Sequence, residues 1–348
     1  MAATVAYVRF ATGRLGDAAG GAPIGGPVAL IATYDSVRSF DRTRIAYARF
    51  GFGDLDDAAP TVVLANGIAC ADGYWTYLVP HLNSNGIRVL YFDYRGHGRS
   101  GEPANPNEIT VVSSARDLWA AADAAGVGDA VVVGHSMGVA TALEAYRLEP
   151  GRIRSLVLTA GPFEHALSTV YPTGIGRLAL ALLELAAEPV PWLTRGVWRA
   201  GSGQTRAAEQ IGRITRMIGE TAPPEIMAEY FAHMQRLDPV LLLRMFRALQ
   251  LHTARDLLPD VACPALVLAG EGDRLTPVSV AREMALLLPD VELEVVAGAR
   301  HTLPVDDPLF FCERIQAWVE STWDRPGGLP AGDLSEGERR GAEVGQHA

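Results

Sequence analysis

Residues 130–143 read AVVVGHSMGVATAL, and this stretch decides how the chain of 348 residues is expected to fold. Its first four residues are typical of a strand buried on both faces, and a helical pattern begins at Met137. Between them, Gly134 and Gly138 flank Ser136, and their missing side chains let strand and helix approach around a tight turn. The pattern predicts that the hydroxyl of Ser136 projects above a sheet edge, at the positive end of a helix.

Short apolar runs alternate with helical patterns on both sides of this turn. Such alternation predicts an α/β fold: a doubly wound, mostly parallel sheet of eight strands with right-handed crossovers. The first two strands interleave polar and apolar residues, which favours an antiparallel pair. The predicted strands are Ser36–Phe40, Arg44–Gly51, Thr61–Ala65, Val89–Asp93, Ala130–Val133, Ser155–Thr159, Ala265–Ala269 and Glu292–Val296. The predicted helices between them are Ala71–Asn85, Val111–Ala125, Met137–Glu149, Val278–Leu288 and Pro308–Thr322.

The alternation breaks at residues 162–255, which show helical periodicity and no convincing strand. We interpret this stretch as a helical cap inserted after the sixth strand, over a pocket at the carboxyl ends of the strands. The alternative is a set of extra helices that only pack on the core. The helical patterns are Gly176–Ala187, Gln204–Gly219, Pro224–Gln235 and Pro239–Leu251.

The expected domain organisation follows from these patterns. The α/β core comprises residues 36–161 and 256–323, with the cap at 162–255 between its two parts. Residues 1–35 form an N-terminal extension, partly flexible, and residues 324–348 form a flexible C-terminal tail, because large apolar residues are scarce near both ends.

Two further segments carry a family likeness. They read FDYRGHGRS at 92–100 and GEGDRLTP at 270–277. Together with the serine turn, they make the chain resemble the α/β-hydrolase superfamily over roughly residues 36–323, among its capped, esterase- or lipase-like serine hydrolases. The resemblance implies a serine nucleophile, a catalytic triad and an oxyanion hole, and does not specify a substrate.

Three residues are predicted to perform the catalysis. A serine hydroxyl is a weak nucleophile at neutral pH and needs a base, so Ser136 is paired with His301, which follows the last predicted strand. The resemblance assigns the catalytic histidine to this loop and the acidic partner to Asp273. Glu271 is a rival two residues earlier. The chain order Ser136, Asp273, His301 is the order typical of this fold.

Two backbone N–H groups are expected to bind the developing oxyanion. One belongs to Met137 and the other to Ile68, in the loop after the third strand. Gly67 allows the turn there, while Asn66 replaces the histidine that is commoner in the family and either supports the loop or reaches the substrate. The supporting residues of the site are Asn66, Gly67, Gly134 and Gly138.

A substrate pocket is predicted less sharply. Its candidate residues are Cys70, Tyr74, Trp75, Trp192 and Trp198. Core packing explains most apolar residues of the cap, although some of them would form an acyl channel. Of the remaining histidines, His97 is expected to pack beneath the site and His135 to point sideways into packing.

Composition narrows the classes of partner. The net charge of -10 argues against binding to a phosphate backbone, so no nucleic-acid partner is expected. Three cysteines without paired spacing argue against a disulfide framework or a zinc site, and neither a metal nor a cofactor is expected. No secretory leader or apolar stretch of membrane-spanning length is evident, which predicts a cytoplasmic protein without stable membrane insertion. The oligomeric state is left open.

The sequence therefore predicts a carboxylesterase-like enzyme (EC 3.1.1) that cleaves a carboxylic ester, thioester or lactone with a hydrophobic acyl group through an acyl-enzyme. Its expected partner is a small hydrophobic ester-like substrate. A cofactor-free haloperoxidase or perhydrolase, or a carbon–carbon bond hydrolase, would use the same triad. A hydroxynitrile lyase is a further alternative. An alternative of another class is a non-catalytic ligand-binding protein on a hydrolase scaffold.

Overall fold

A nine-stranded sheet runs through the molecule in the computed structural model, which describes residues 8–11, 33–166, 190–201, 205–214 and 217–325. Its strands are β1 (Val8–Ala11), β2 (Tyr34–Arg38), β3 (Arg44–Phe50), β4 (Thr61–Ala65), β5 (Arg88–Phe92), β6 (Ala130–His135), β7 (Ile153–Thr159), β8 (Ala265–Gly270) and β9 (Val291–Val296). From one edge to the other they lie in the order β1-β9-β8-β7-β6-β4-β5-β3-β2. Neighbouring strands are parallel, except where β3 pairs with β2 and with β5. The eight predicted strands and the antiparallel first pair are thus confirmed.

The central strands are buried on both faces. Every residue of β4, β5, β6 and β8 is buried, in keeping with their almost uninterrupted aliphatic and aromatic sequences. Such strands satisfy their backbone groups within the sheet and pack helices on either side. β2 is mostly exposed, with only Tyr34 and Val37 partly buried, as expected for an edge strand.

One strand was not predicted. Residues Val8–Ala11 pair in parallel with β9 and add an edge to the sheet, although residues 1–35 were expected to form an extension. β2 also begins inside that range, at Tyr34. Only two residues of the predicted tail, 324 and 325, lie within the described part of the chain.

Helices cover both faces of the sheet. On one face, residues such as Leu118, Leu143 and Met284 join one large apolar core, and on the other Leu82 and Phe311 join a second. The helices of the core are α1 (Leu78–Ser84), α2 (Val111–Ala124), α3 (Met137–Leu148), α8 (Val278–Leu287), α9 (Leu303–Asp306) and α10 (Pro308–Thr322).

The predicted helix Ala71–Asn85 is shorter than expected. A single 3₁₀ turn at Asp72–Trp75 precedes α1, which begins at Leu78. Pro80 explains the interruption: it has no N–H to donate to the preceding turn, so it is tolerated only within the first turn of a helix.

The described residues between 162 and 255 contain four helices and no strand of the sheet: α4 (Pro191–Gly201), α5 (Thr205–Ile214), α6 (Pro224–Arg236) and α7 (Pro239–Leu251). The predicted helix Gly176–Ala187 lies outside the described residues. That this segment acts as a cap stays a prediction. No described helix combines the length and apolar character needed to cross a bilayer.

Candidate active site

Ser136 occupies a strained turn between β6 and α3. Its backbone has φ of 55° and ψ of −118°, a conformation that costs a non-glycine residue about 1–3 kcal/mol. The turn is closely packed: a Cβ atom at Gly138 would lie 1.9 Å from the carbonyl oxygen of Ala65, and one at Gly134 would lie 2.3 Å from the carbonyl oxygen of Gly138. The two glycines therefore allow the tight approach that presents the serine hydroxyl at the carboxyl end of the sheet.

Three side chains from distant parts of the chain form one hydrogen-bonded row. The Nε2 atom of His301 lies 3.0 Å from the Oγ atom of Ser136. The Nδ1 atom of the same ring lies 2.9 Å from Oδ2 of Asp273. Because an ionised carboxylate only accepts hydrogen bonds, Nδ1 carries the proton and Nε2 is the acceptor for the serine hydroxyl.

The Asp273 carboxylate is buried but well supplied with donors. Oδ1 accepts the backbone N–H groups of Leu275 and Thr276, and Oδ2 accepts the hydroxyl of Thr276 at 2.6 Å. Burial acts to raise the pKa of Asp273, but the charge of His301 and the hydrogen bonds from His301 and Thr276 outweigh it and lower this pKa. Glu271, the rival acid, is exposed and accepts the backbone N–H of Gly298.

The loop after β4 lies directly against Ser136. A Cβ atom at Gly67 would lie 3.2 Å from Cβ of Ser136, so a side chain there would meet the turn. A tight turn, closed by the N–H of Cys70 on the carbonyl of Gly67, places Ala69 at φ of 61°. The left-handed residue is thus Ala69, whereas the prediction attributed the turn to Gly67.

Two backbone N–H groups remain available beside the serine. Those of Ile68 and Met137 hydrogen-bond to no other group in the described ranges of the chain. The loop that carries Ile68 is held from beneath, because Nε2 of His97 accepts the N–H of Ala69 at 3.4 Å. Burial, and then the charge of His233, lowers the pKa of His97 to about 4, so this ring is neutral at pH 7.

Asn66 supports the loop. Its side-chain oxygen accepts the indole N–H of Trp75, and its backbone carbonyl accepts the hydroxyl of Tyr94 at 2.9 Å. Of the two roles considered for this residue, these contacts match the supporting one.

His135, the last residue of β6, connects that strand to the loop that carries His301. Its Nε2 atom lies 2.9 Å from the backbone carbonyl oxygen of His301, and its ring stacks on Tyr74 with centroids 5.0 Å apart. Burial, and then the charge of His301, lowers the pKa of His135 to about 3. Its Nδ1 atom is buried without a hydrogen-bond partner among the residues that the structure describes.

The loop around His301 is also tied to the segment before α6. The Thr302 hydroxyl accepts the N–H of Gly219 at 2.8 Å and donates to Oδ1 of Asp306 at 2.7 Å. Oδ2 of Asp306 accepts the N–H of Arg300, whose guanidinium donates to the carbonyl of Ile218 at 2.9 Å. Burial raises the pKa of Asp306. Residues on both sides of His301 therefore contact the inserted segment, which is the stretch 162–255 between β7 and β8.

The predicted pocket residues fall into different places. Cys70 and Tyr74 are buried in a cluster with α6, and Trp198 packs with Ile68 in another cluster. Trp75 is buried in the core that includes Phe311, and 71% of Trp192 is exposed. The placement of Trp75 and Trp192 does not support the expectation that they line a pocket.

Sequence reasoning missed several neighbours of the row. Thr276 lies in the quoted segment 270–277, called the acid loop below, but no role was predicted for it, and none was predicted for Thr302 or Asp306. His135 was expected merely to pack. The one sequence signal for these contacts was the hydroxyl of Thr276, three residues after Asp273, since that spacing allows a short turn to bring the two side chains together.

The arrangement provides the parts of acyl transfer. A hydroxyl that hydrogen-bonds to an imidazole can pass its proton to that ring, and a buried carboxylate stabilises the resulting imidazolium. Free amide N–H groups beside the hydroxyl can donate hydrogen bonds to a carbonyl oxygen on which negative charge develops.

Comparison with known proteins gives consistent results. A family model described as the alpha/beta hydrolase fold matches residues 60–308. The magnesium-chelatase 30 kDa subunit of Rhodobacter capsulatus is 29% identical over 69% of this chain and 80% of its own length. A putative carbamate hydrolase, RutD, of Azorhizobium caulinodans is 27% identical over 77% of this chain and 96% of its own. The structure of a thermophilic esterase from Thermogutta terrifontis superposes with a TM-score of 0.67 at 24% identity, covering 84% of this chain and 99% of the esterase, which indicates a shared fold.

Proposed function

Because the chain belongs to the α/β-hydrolase family, whose model spans most of its length, we propose that it is a serine hydrolase that cleaves carboxylic esters, thioesters or lactones. The observation that carries the proposal is the row of contacts from Ser136 Oγ to His301 Nε2 at 3.0 Å and from His301 Nδ1 to Asp273 at 2.9 Å.

In the proposed reaction, the Oγ atom of Ser136 attacks the carbonyl carbon of the substrate while Nε2 of His301 takes its proton. The N–H groups of Ile68 and Met137 bind the oxyanion of the tetrahedral intermediate. His301 then gives the proton to the leaving alcohol or thiol, and an acyl-enzyme forms. Water, deprotonated by the same ring, releases the carboxylic acid and restores the serine hydroxyl.

Apolar residues beside the oxyanion loop favour a hydrophobic acyl group. Ile68 and Ala69 pack with residues of the inserted segment, namely Trp198, Tyr230, Met234, Leu237 and Leu242. This contact is also the support for a cap role of the inserted segment.

Active-site labelling tests the proposal. A fluorophosphonate probe is expected to label the wild-type protein and a Ser84→Ala control, whose hydroxyl lies on the surface, but not Ser136→Ala. With nitrophenyl esters of increasing chain length, Ser136→Ala should lower kcat by about a millionfold. A folded wild-type protein that neither reacts with the probe nor turns over any ester, thioester or lactone would refute the proposed function and favour the ligand-binding alternative.

A carbamate is a second candidate substrate. The RutD relative, which aligns over 96% of its length, is described as a putative carbamate hydrolase. The same three side chains would attack a carbamate carbonyl, so the substrate panel should include an aryl carbamate, with amine release as the measurement. Turnover of peracids, cyanohydrins or diketones in that panel would instead support the perhydrolase, lyase or carbon–carbon hydrolase alternatives.

A further inference from the structure

His135, immediately before the nucleophile, makes the contact that the proposed mechanism does not use. Its Nε2 atom approaches the backbone carbonyl oxygen of the catalytic histidine, His301, at 2.9 Å. A carbonyl oxygen can only accept a hydrogen bond, so Nε2 of His135 carries a proton and donates it. Among the described residues, no other group donates a hydrogen bond to the His301 carbonyl.

The surroundings fix the imidazole of His135 in this orientation. One face stacks on Tyr74, with ring planes at 28°, and Trp75 meets it edge-on at a centroid distance of 6.5 Å. The other nitrogen, Nδ1, faces the oxyanion loop, since a Cβ atom at Gly67 would lie 3.2 Å from it. Only 2% of the residue is exposed. A ring held on these sides cannot rotate away from the carbonyl without disturbing the loop.

We propose that His135 is a positioning residue, which donates from Nε2 to the His301 carbonyl and thereby holds the catalytic ring at hydrogen-bonding distance from Ser136. The inference rests on the proposed function. His135 thus links the turn at Ser136 to the loop that carries His301, and its ring also borders the loop that carries Ile68.

The neutral state of His135 fits this role. The His135 and His301 rings have centroids 5.2 Å apart, and His301 becomes positively charged during the reaction. A second positive charge at that distance would oppose the proton transfer from Ser136. Burial holds the pKa of His135 near 3, so the donor is present without a charge.

Two substitutions separate positioning from packing. In His135→Gln, the side-chain amide nitrogen can take the place of Nε2 and donate, but the stack on Tyr74 is lost. In His135→Phe, an aromatic ring remains on Tyr74, but the donor is lost. If His135 positions His301, Phe should lower kcat by about tenfold to a hundredfold with little change in KM, and Gln should stay near the wild-type value. If His135 only packs, Gln should be the more damaging change.

The experiment measures kcat and KM with a nitrophenyl ester, the rate of fluorophosphonate labelling of Ser136, and thermal unfolding of each variant. His135→Asn serves as the matched control, because its amide nitrogen corresponds to Nδ1 and cannot reach the carbonyl. It should behave like His135→Phe. It replaces His135→Phe in the comparison if that variant does not fold. Equal losses of kcat in Gln and Phe, or a larger loss in Gln, would overturn the inference. Labelling is independent of ester preference, so the ranking of variants can be read even if no ester is turned over. Absence of both labelling and turnover in the folded wild-type protein would overturn the proposed function itself.

Discussion

The charge of Asp273 at neutral pH depends on neighbouring groups, because its carboxylate is buried. Burial alone would favour the protonated acid, which could not stabilise a charged imidazole. The charge of His301 and the donors of the acid loop reverse this effect and lower the pKa of Asp273. Thr276 is central among these donors, since both its N–H and its hydroxyl point at the carboxylate.

Replacing Asp273 by Asn should lower kcat by about 10⁴-fold, because an amide favours the wrong tautomer of His301 and cannot balance its positive charge. Glu271→Gln is the matched control: it makes the same chemical change two residues away, on an exposed side chain, and should leave kcat unchanged. Steady-state kinetics with one ester would check both variants. A large loss in Glu271→Gln together with a mild one in Asp273→Asn would reverse the assignment of the acid.

The sequence was sufficient to single out Ser136, Asp273 and His301, which the structure brings into one hydrogen-bonded row, because their loops carry motifs and their chain order is typical of the fold. Their role in catalysis is a proposal. The supporting contacts of Thr276, Thr302 and His135 could not be predicted. Each depends on how a loop folds back in space, as when the Thr302 hydroxyl meets a backbone N–H that lies far away in the chain, at Gly219. The left-handed conformation of Ala69 was hidden for a similar reason, since alanine gives no sequence signal for a positive φ.

At the scale of the elements, β6 pairs in parallel with β4, and α3 places the serine by beginning in close contact with the end of β4. Gly138→Ala should therefore damage the site, because the new Cβ would lie 1.9 Å from the carbonyl oxygen of Ala65, a backbone atom that cannot move away alone. We expect a lower unfolding temperature and loss of fluorophosphonate labelling.

Gly128→Ala provides the matched control for this change. Nothing lies within 4 Å of a Cβ atom at Gly128, which also has no positive φ, so activity and stability should be preserved. Full activity in Gly138→Ala would mean that the close approach of β4 and α3 is not required.

All eight predicted strands lie within two residues of their observed bounds, whereas the ninth strand, at an edge of the sheet, was not predicted. β4 matches its prediction because apolar residues fill it after Thr61 and every residue is buried. The first predicted strand, Ser36–Phe40, begins two residues too late, since β2 lies at an edge and only Tyr34 and Val37 in it are partly buried. Val8–Ala11 was missed because four residues at an edge carry too little periodicity to separate them from a flexible extension.

Over the whole molecule, two buried histidines should make stability depend on pH. The pKa values of His97 and His135 are lowered from 6.5 to about 4 and about 3. The unfolded chain therefore binds more protons than the folded one between these values and 6.5. Each ring should reduce the free energy of unfolding by up to about 1.4 kcal/mol for each pH unit below about 6.5. Buried Asp306, with its raised pKa, acts in the opposite direction.

Urea unfolding of the wild type and His135→Gln would isolate this effect. A glutamine does not titrate, so the stability of the wild type relative to the variant should decrease steadily from about pH 7 to about pH 5. A stability difference that is independent of pH would show that His135 takes up no proton on unfolding in this range.

The inserted segment and the core meet beside His301, so their stabilities should be coupled. Thr302→Val keeps the shape of the side chain but leaves the N–H of Gly219 and a carboxylate oxygen of Asp306 without their partner. We expect the free energy of unfolding to fall by about 1–3 kcal/mol and kcat to fall with it. Thr253→Val, at an exposed threonine that contacts Glu164, should change neither quantity, and equal effects in both variants would exclude a special role for Thr302.

The strand Val8–Ala11 has a practical consequence for anyone who shortens this chain. Because it pairs along β9, its removal would leave a row of peptide groups on β9 open to another chain. Open rows of this kind template intermolecular pairing and precipitation. A truncated expression clone that begins near residue 33 would therefore expose an unpaired, aggregation-prone edge on β9, even though Ser136, Asp273 and His301 lie elsewhere in the sequence.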